Sequence, residues 1–213
     1  LLRRMAFWVA VTWLPLAVWA VLNGRAVGGG AAEPLMVHFT VHARLLLGIP
    51  ALHLAEAMAQ GVLGMVLPYF VTSGLVPAAS VPVYRETLHG IARLRDRTLP
   101  WFIIGALAIT SSYYFTTARQ ADEISWAVHP DGSLAFGAWW MAVGRVVYLV
   151  LAAGWMWRVG LVFLLLWRVS RLELSLVPTH ADKVAGLGFL ERLPTMFAPV
   201  VFALSAVISG YWG

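Results

Sequence analysis

The chain has 213 residues, of which 61% are hydrophobic and 12% are charged, whereas soluble domains contain roughly 45–50% apolar and about 25% charged residues. This composition predicts an integral membrane protein and excludes an ordinary water-soluble domain, so the net charge of +5 is interpreted as a topology signal rather than as a sign of nucleic-acid binding. Cysteine is absent, which excludes disulfides, thiolate metal sites and cysteine nucleophiles.

Five apolar blocks determine the predicted architecture, because each can cross a hydrocarbon core of about 30 Å as a helix that rises 1.5 Å per residue. In chain order the predicted spans are residues 5–23, 35–55, 101–117, 136–167 and 195–213. The predicted fold class is therefore all-α, a polytopic transmembrane helical bundle in a single domain. The chain opens at Leu1 rather than Met and stops as the last block ends, which leads us to expect a fragment of a longer protein.

The second apolar block continues from residue 35 to residue 70 and is too long for one span. Pro50 is expected to kink the helix, and Glu56 is expected to mark the point where the helix leaves the hydrocarbon. Residues 58–70 are then predicted to lie along the cytoplasmic interface or to extend past it.

Two charged segments, residues 71–99 and 168–194, separate the later spans. The first contains an apolar stripe at helical spacing, which predicts an amphipathic helix on the membrane surface or under the bundle. Its members are Val83, Leu88, Ile91 and Leu94.

The orientation follows from the distribution of the cations. Residues 1–4, 71–99 and 168–194 hold ten Lys or Arg, whereas the alternate loops hold only Arg25 and Arg119. The positive-inside rule therefore predicts a cytoplasmic N-terminus and two cytoplasmic charged segments. All cations but one are Arg, and Ala, Gly and Val are abundant, which is typical of a GC-rich bacterial genome and predicts the bacterial inner membrane.

The segment from Trp167 to Leu190 reads W-R-V-S-R-L-E-L-S-L-V-P-T-H-A-D-K-V-A-G-L-G-F-L. It resembles the motif P-T-H-x-D-[KR]-x-x-G-L-G-F-L of a family of uncharacterised bacterial multi-pass inner-membrane proteins. Further pieces agree with that family in the same order, at residues 43–56, 73–77, 93–96 and 197–205. The resemblance implies a multi-pass architecture with further spans downstream, and it implies no activity.

The chain departs from that family at two places. The family usually has Pro after His180 and Gly-Gly where this chain has Ala185-Gly186. It is also usually charged after Glu56, where residues 58–70 of this chain are apolar. The second departure leaves the placement of residues 57–70 open.

Three histidines of the second span form a candidate site. His38 and His42 are four residues apart, and His53 returns to within about 20° of His42 on a regular helix. This stripe fits a proton path, a metal site or an axial ligand to a haem or chlorophyll-type tetrapyrrole, although no other predicted span contains histidine for a bis-histidine haem. The alternative is that His38 and His42 lie at the outer interface with their polar tips in water. The cofactor, if any, stays unknown.

Three arginines lie within predicted spans, where ionisable groups are costly and mark functional candidates. Arg44 and Arg145 are expected to extend their guanidinium groups to the outer interface. Arg158 is expected to lie inside the inner hydrocarbon boundary, and Glu56 is the one carboxylate predicted near it. We therefore predict that the second and fourth spans pack with Arg158 directed towards Glu56, as a structural anchor or as part of an ion pathway.

The cytoplasmic motif contains six conspicuous residues, which are Thr179, His180, Asp182, Lys183, Gly186 and Gly188. The pattern predicts a helix start with Thr179 as N-cap and Asp182 at the N3 position. Alternatively, His180, Asp182 and Lys183 bind an anionic headgroup, a metal or a partner loop. The two glycines would allow helices to approach closely or would bend the segment.

The sequence contains no recognisable catalytic motif or metal motif. The leading hypothesis is a non-catalytic structural or accessory subunit of a membrane assembly, in contact with the lipid bilayer and with other membrane protein chains or copies of itself, without nucleic acid. The second hypothesis is a channel or transporter for an ion or small solute, built around Arg158, Glu56 and the histidine stripe. The third is a tetrapyrrole-binding membrane protein.

Overall fold

The fold is entirely helical wherever the chain is described. The computed structural model describes residues 1–27, 34–118, 135–179, 181–210 and 212, and no residue in these ranges lies in a strand. Five helical stretches in them are long and apolar enough to cross a membrane. The protein is therefore an all-α, multi-pass membrane protein, as its composition and block lengths predict.

The predicted spans correspond to helices whose ends are shifted by a few residues or more. The α-helices are α1 (Leu2–Leu22), α2 (Phe39–His42), α3 (Ile49–Thr72), α4 (Val81–Arg95), α5 (Thr98–Ala118), α6 (Phe136–Val169) and α7 (Ala198–Gly210). A π-helical segment joins α2 to α3 at Ala43–Gly48, and 3₁₀ segments occur at Leu35–Val37, Ala78–Ser80 and Gly188–Phe197.

The second apolar block forms one long helical stretch, Phe39–Thr72. Residues 58–70 continue the helix that contains Glu56, and they do not form a separate surface segment. The irregularity lies upstream of Pro50, in the π-helical turn, because proline cannot donate the backbone hydrogen bond of a regular helix and its ring crowds the preceding turn. The position of the membrane boundary along α3 stays a prediction.

Two compact units divide the chain. Unit 1 comprises Leu1–Leu54, Phe102–Ala153 and Pro199–Gly213, and unit 2 comprises Ala55–Trp101 and Gly154–Ala198. The division falls within α3, α5 and α6, so each of these helices contributes to both units.

In unit 1 the first half of α6 is hydrogen-bonded to three other helices. Trp140 donates its Nε1–H to the carbonyl of Thr12 on α1 at 3.1 Å, and Tyr148 donates its hydroxyl to Ala203 on α7 at 3.3 Å. Ser112 on α5 donates to the carbonyl of Ala142 at 3.0 Å. Such interhelical bonds hold helices together where the surrounding lipid provides no hydrophobic driving force for packing.

In unit 2 an apolar core lies between α3, α4, α6 and the 3₁₀ segment Gly188–Phe197. Tyr84 is almost fully buried there and donates its hydroxyl to the carbonyl of Leu67 at 2.9 Å. The amphipathic helix is confirmed as α4, but its predicted stripe is partly wrong, because Val83 is 51% exposed and Tyr84 occupies the buried position. One residue corresponds to about 100° of rotation on a helix, so this shift turns the inward face towards Val81 and Tyr84.

Candidate functional site

The candidate site of unit 2 begins with two helix faces. On α3, Glu56, Gln60 and Leu63 follow one another at the three- and four-residue spacing that places side chains on one side of a helix. On α6, Trp155 and Arg158 are three residues apart and also share a face. These two faces, with α4 and the 3₁₀ segment Gly188–Phe197, surround a cavity of ≈ 570 Å³.

The predicted pairing of Arg158 with Glu56 is confirmed. The guanidinium Nη2 of Arg158 lies 3.6 Å from Oε1 of Glu56, which is an ion-pair distance but longer than a hydrogen bond. The guanidinium carbon also lies 4.9 Å from the ring centroid of Trp155, where the negative face of the indole attracts a cation. Charge and stacking therefore hold Arg158 in place.

The N–H groups of Arg158 donate to no residue that the structure describes. Within the described ranges its guanidinium donates no hydrogen bond, since its contacts are the ion pair and the stacking on Trp155. The side chains of Arg158 and Glu56 are 32% and 28% exposed respectively. Because Arg158 also lines the cavity, its free donors are accessible to a bound molecule.

The rest of the cavity wall is mainly apolar. Its aliphatic part includes Leu67, Leu88 and Leu165, contributed by three different helices. Ligand sites typically occupy 300–1,000 Å³ and combine apolar walls with a few polar groups. By size and by lining the unit 2 cavity has the properties of a small-molecule site.

Three further polar side chains line this cavity, namely Gln60, His89 and Arg95. The charge of Arg95 is already compensated, because its Nε and Nη2 donate to the two carboxylate oxygens of Asp96 at 2.8 and 3.2 Å. Within the described ranges Arg95 therefore has a carboxylate partner for two of its five N–H groups, whereas Arg158 donates no hydrogen bond. Sequence reasoning did not identify Gln60 or Trp155, although each lies one helical turn from Glu56 or Arg158 on the same face.

The motif around Asp182 has a different local structure from the one predicted. Residues 178–187, apart from residue 180, contain turns and no helix, so the prediction that Thr179 caps a helix start is wrong. Three backbone N–H groups, of Val184, Gly186 and Gly188, instead donate to the carboxylate of Asp182 at 2.8–3.0 Å.

Backbone geometry explains why no helix begins at Thr179. Lys183, Ala185 and Gly186 have positive φ angles of 59°, 57° and 93°, and left-handed residues interrupt a right-handed helix. Gly188 lies close to Asp182, and a Cβ at position 188 would be only 3.1 Å from that side chain, a tight contact. Gly186 therefore bends the segment, which agrees with one of the two interpretations for that residue, and His180 lies outside the described residues.

The histidine stripe does not form a common site in the structure. His38 has non-helical angles at the start of α2, and the π-helical turn separates His42 from His53, so the assumption of one regular helix is wrong. Within the described part of the chain, no group of three or more His, Asp or Glu residues is placed to hold a metal ion. The three histidines also lie in unit 1, whereas the cavity belongs to unit 2.

Protein groups already occupy both ring nitrogens of His42. Trp13 donates its Nε1–H to Nδ1 at 3.1 Å, and Nε2 lies 3.0 Å from the carbonyl oxygen of Leu35, to which it donates. Neither nitrogen is left to coordinate a metal or a tetrapyrrole. His53 is buried and its ring stacks on that of Trp8, with centroids 6.1 Å apart.

Arg44 and Arg145 are directed into unit 1 and do not extend to a surface. Their side chains are only 5% and 6% exposed, so the prediction that they reach the outer interface is wrong. The guanidinium carbon of Arg145 lies 5.9 Å from the ring centroid of Phe115, and this contact with an aromatic face replaces part of the lost hydration.

The chain matches no family model, no curated protein and no solved structure. The resemblance based on the motif at residues 178–190 therefore stays a prediction.

Proposed function

We propose that this chain is a non-catalytic multi-pass membrane protein that binds a small ligand between the helices of unit 2. The observation that carries the proposal is the ≈ 570 Å³ cavity whose wall contains Arg158 beside Glu56. Ionisable groups within membrane helices are costly and commonly mark substrate or ion pathways. The residues described as lining the cavity include no Ser, Thr, Cys, Lys or Tyr, so the usual nucleophiles are missing from it, which supports binding over covalent catalysis.

Native mass spectrometry of the purified chain in mild detergent tests this proposal. We expect the wild type to carry a small non-protein adduct, because the cavity retains its ligand. Ala59→Phe, which fills the cavity from α3, should remove the adduct. Ala106→Phe, on an exposed part of α5, is the matched control and should retain it. Equal adducts in all three proteins would contradict the proposal.

Binding in this cavity serves either a transporter or an accessory protein. A transporter would move the identified ligand across liposome membranes, and this flux should stop in Ala59→Phe. An accessory protein would bind the ligand without flux. The measurement of flux therefore separates the two functions without altering the binding proposal.

A second candidate function, an accessory subunit that binds another membrane chain, is favoured by the surface of α5. Phe102, Tyr113 and Tyr114 are 75%, 64% and 62% exposed, and of residues 98–115 only Ala108 and Ser112 are buried. Aromatic residues are common at protein interfaces as well as at membrane interfaces. An additional protein chain in the native mass spectrum would support this function, and a tetrapyrrole absorption band would support the third hypothesis.

The proposed location is the bacterial inner membrane, with the N-terminus in the cytoplasm. The predicted cytoplasmic segments, residues 1–4, 71–99 and 168–194, hold ten Lys or Arg, whereas the alternate loops hold two, and this difference supports the orientation. Cysteines introduced at Ser80 and Ser175 should resist a membrane-impermeant thiol reagent in intact cells and should react after permeabilisation. A cysteine at Ser133, which lies outside the described residues, should react in intact cells. The reverse pattern would contradict the proposed orientation.

A further inference from the structure

The unit 2 cavity is amphiphilic, with charged groups and an aliphatic surface in one wall. We propose that its ligand is an amphiphile with an anionic head, whose head binds Arg158 and whose apolar chain lies along α3, α4 and α6. This inference rests on the proposed function, because it names the ligand class of the same cavity.

The head is assigned by the unused donors of Arg158. A guanidinium presents five N–H groups in a planar fork that matches a carboxylate or a phosphate. The guanidinium carbon lies over the Trp155 ring, 4.9 Å from its centroid, and this contact attracts the cation without forming a hydrogen bond to an oxygen acceptor. Glu56 compensates the charge of Arg158 from 3.6 Å, a distance longer than that of a hydrogen bond. An anionic head can therefore accept hydrogen bonds from N–H groups that donate to none of the described residues.

The chain is assigned by the aliphatic surface of the cavity. Leu63 and Leu67 on α3, Leu88 and Ile91 on α4 and Leu165 on α6 all line the cavity. A small inorganic anion would leave this surface uncovered, whereas an acyl chain would bury it. Each buried methylene tightens binding about fourfold, so the chain would contribute much of the affinity.

The charge around the cavity favours an anion over a cation. The charged residues that line the cavity are Arg95, Arg158 and Glu56. The segment that contains α4 and forms one wall, residues 81–97, carries four Arg and two carboxylates, and a guanidinium nitrogen of Arg168 lies 3.3 Å from the Cβ position of Gly90 on α4. A cation approaching Glu56 would also meet Arg158. Basic surroundings of this kind raise the local concentration of anions.

Binding constants of the purified full-length chain in a non-ionic detergent test the inference. The probes are palmitate, phosphatidylglycerol, phosphatidylcholine with the same acyl chains, and inorganic phosphate. At least one of the two anionic amphiphiles should bind about tenfold or more tightly than phosphatidylcholine, and phosphate should bind weakly. Tighter binding of palmitate would identify the ligand as a free fatty acid, and tighter binding of phosphatidylglycerol would identify it as a membrane lipid.

Three variants locate the head. Arg158→Gln should raise the dissociation constant of the preferred anionic probe about tenfold or more. Arg171→Gln is the matched control, because the guanidinium carbon of Arg171 also lies over a tryptophan ring, 5.3 Å from the centroid of Trp167, but Arg171 does not line the cavity. It should leave the constant unchanged. Glu56→Gln should lower the constant, since the competing carboxylate is removed, and this opposite effect does not depend on whether Arg158→Gln folds.

The possible failures are distinguishable. Equal binding of phosphatidylglycerol and phosphatidylcholine would contradict the proposed anionic head, and so would a higher dissociation constant in Glu56→Gln. Neither result would contradict the proposal that the cavity binds a ligand. Tight binding of inorganic phosphate would contradict the proposal that an apolar chain contributes much of the affinity. Binding that is unchanged by Ala59→Phe would place the ligand elsewhere and would overturn the proposed function as well.

Discussion

Replacing Glu56 by glutamine removes the carboxylate that lies 3.6 Å from the guanidinium of Arg158 and leaves that cation in a largely apolar cavity. At this distance an effective dielectric of about 20 corresponds to an interaction of roughly 4–5 kcal/mol. The two side chains are 32% and 28% exposed, and solvent screening and partial rehydration reduce that figure. We therefore expect Glu56→Gln to lower the free energy of unfolding by about 1–2 kcal/mol.

The matched control is Glu86→Gln, which removes the same charge from an exposed position on α4. Exposed substitutions usually change stability by no more than about 0.5 kcal/mol. Both variants are compared with the wild type by unfolding in one detergent at one ionic strength. A double-mutant cycle with Arg158→Gln should give a coupling above about 0.5 kcal/mol.

Two results would refute this reasoning. If Glu56→Gln were no more destabilising than Glu86→Gln, the pair would be too well hydrated to contribute. A coupling near zero would mean that stacking on Trp155 alone holds Arg158. Saturation with the anionic ligand should restore part of the stability that Glu56→Gln loses, because a ligand that binds only the folded state stabilises it.

The remaining expectations concern unit 2. Ala185→Gly should stabilise the chain by about 1 kcal/mol in thermal unfolding, because Ala185 has a φ of 57° that an L residue adopts at a cost; an unchanged or lower midpoint would contradict this. Asp182→Ala should lower the unfolding free energy by about 1–3 kcal/mol, since three backbone N–H groups lose their acceptor, whereas Thr179→Ala should change it by less than about 0.5 kcal/mol. Tyr84→Phe should cost about 1 kcal/mol in the same assay, because the carbonyl of Leu67 loses its hydrogen bond, and a cost near zero would show that this bond is replaced.

The pairing of Arg158 with Glu56 shows how far sequence reasoning extends to the site. A guanidinium inside a membrane helix needs a counter-charge or water, and Glu56 was the one carboxylate expected near its depth. These two conditions predict the contact without any coordinates. They do not predict the cavity, because its wall combines residues from three helices and a 3₁₀ segment that are far apart in the sequence.

The turn at Asp182 shows where local patterns are insufficient. The order Thr179, Asp182 is typical of a helix start, but positive φ angles at Lys183 and Ala185 are conformations that neither residue type favours. The three hydrogen bonds to the Asp182 carboxylate compensate for that cost. A helix-start pattern read from neighbouring residues does not account for these hydrogen bonds between the Asp182 carboxylate and the backbone.

The sequence by itself determined the number and approximate position of the five stretches that are able to span a membrane, because partition into a bilayer depends on the length and hydropathy of each segment taken alone. Only the tertiary structure decided which side of each helix turns inward. Arg44 and Arg145 face the interior of unit 1, and Tyr84 rather than Val83 enters the core of unit 2. The physical reason is that the inward face of a helix depends on the shape and polarity of the helices packed against it.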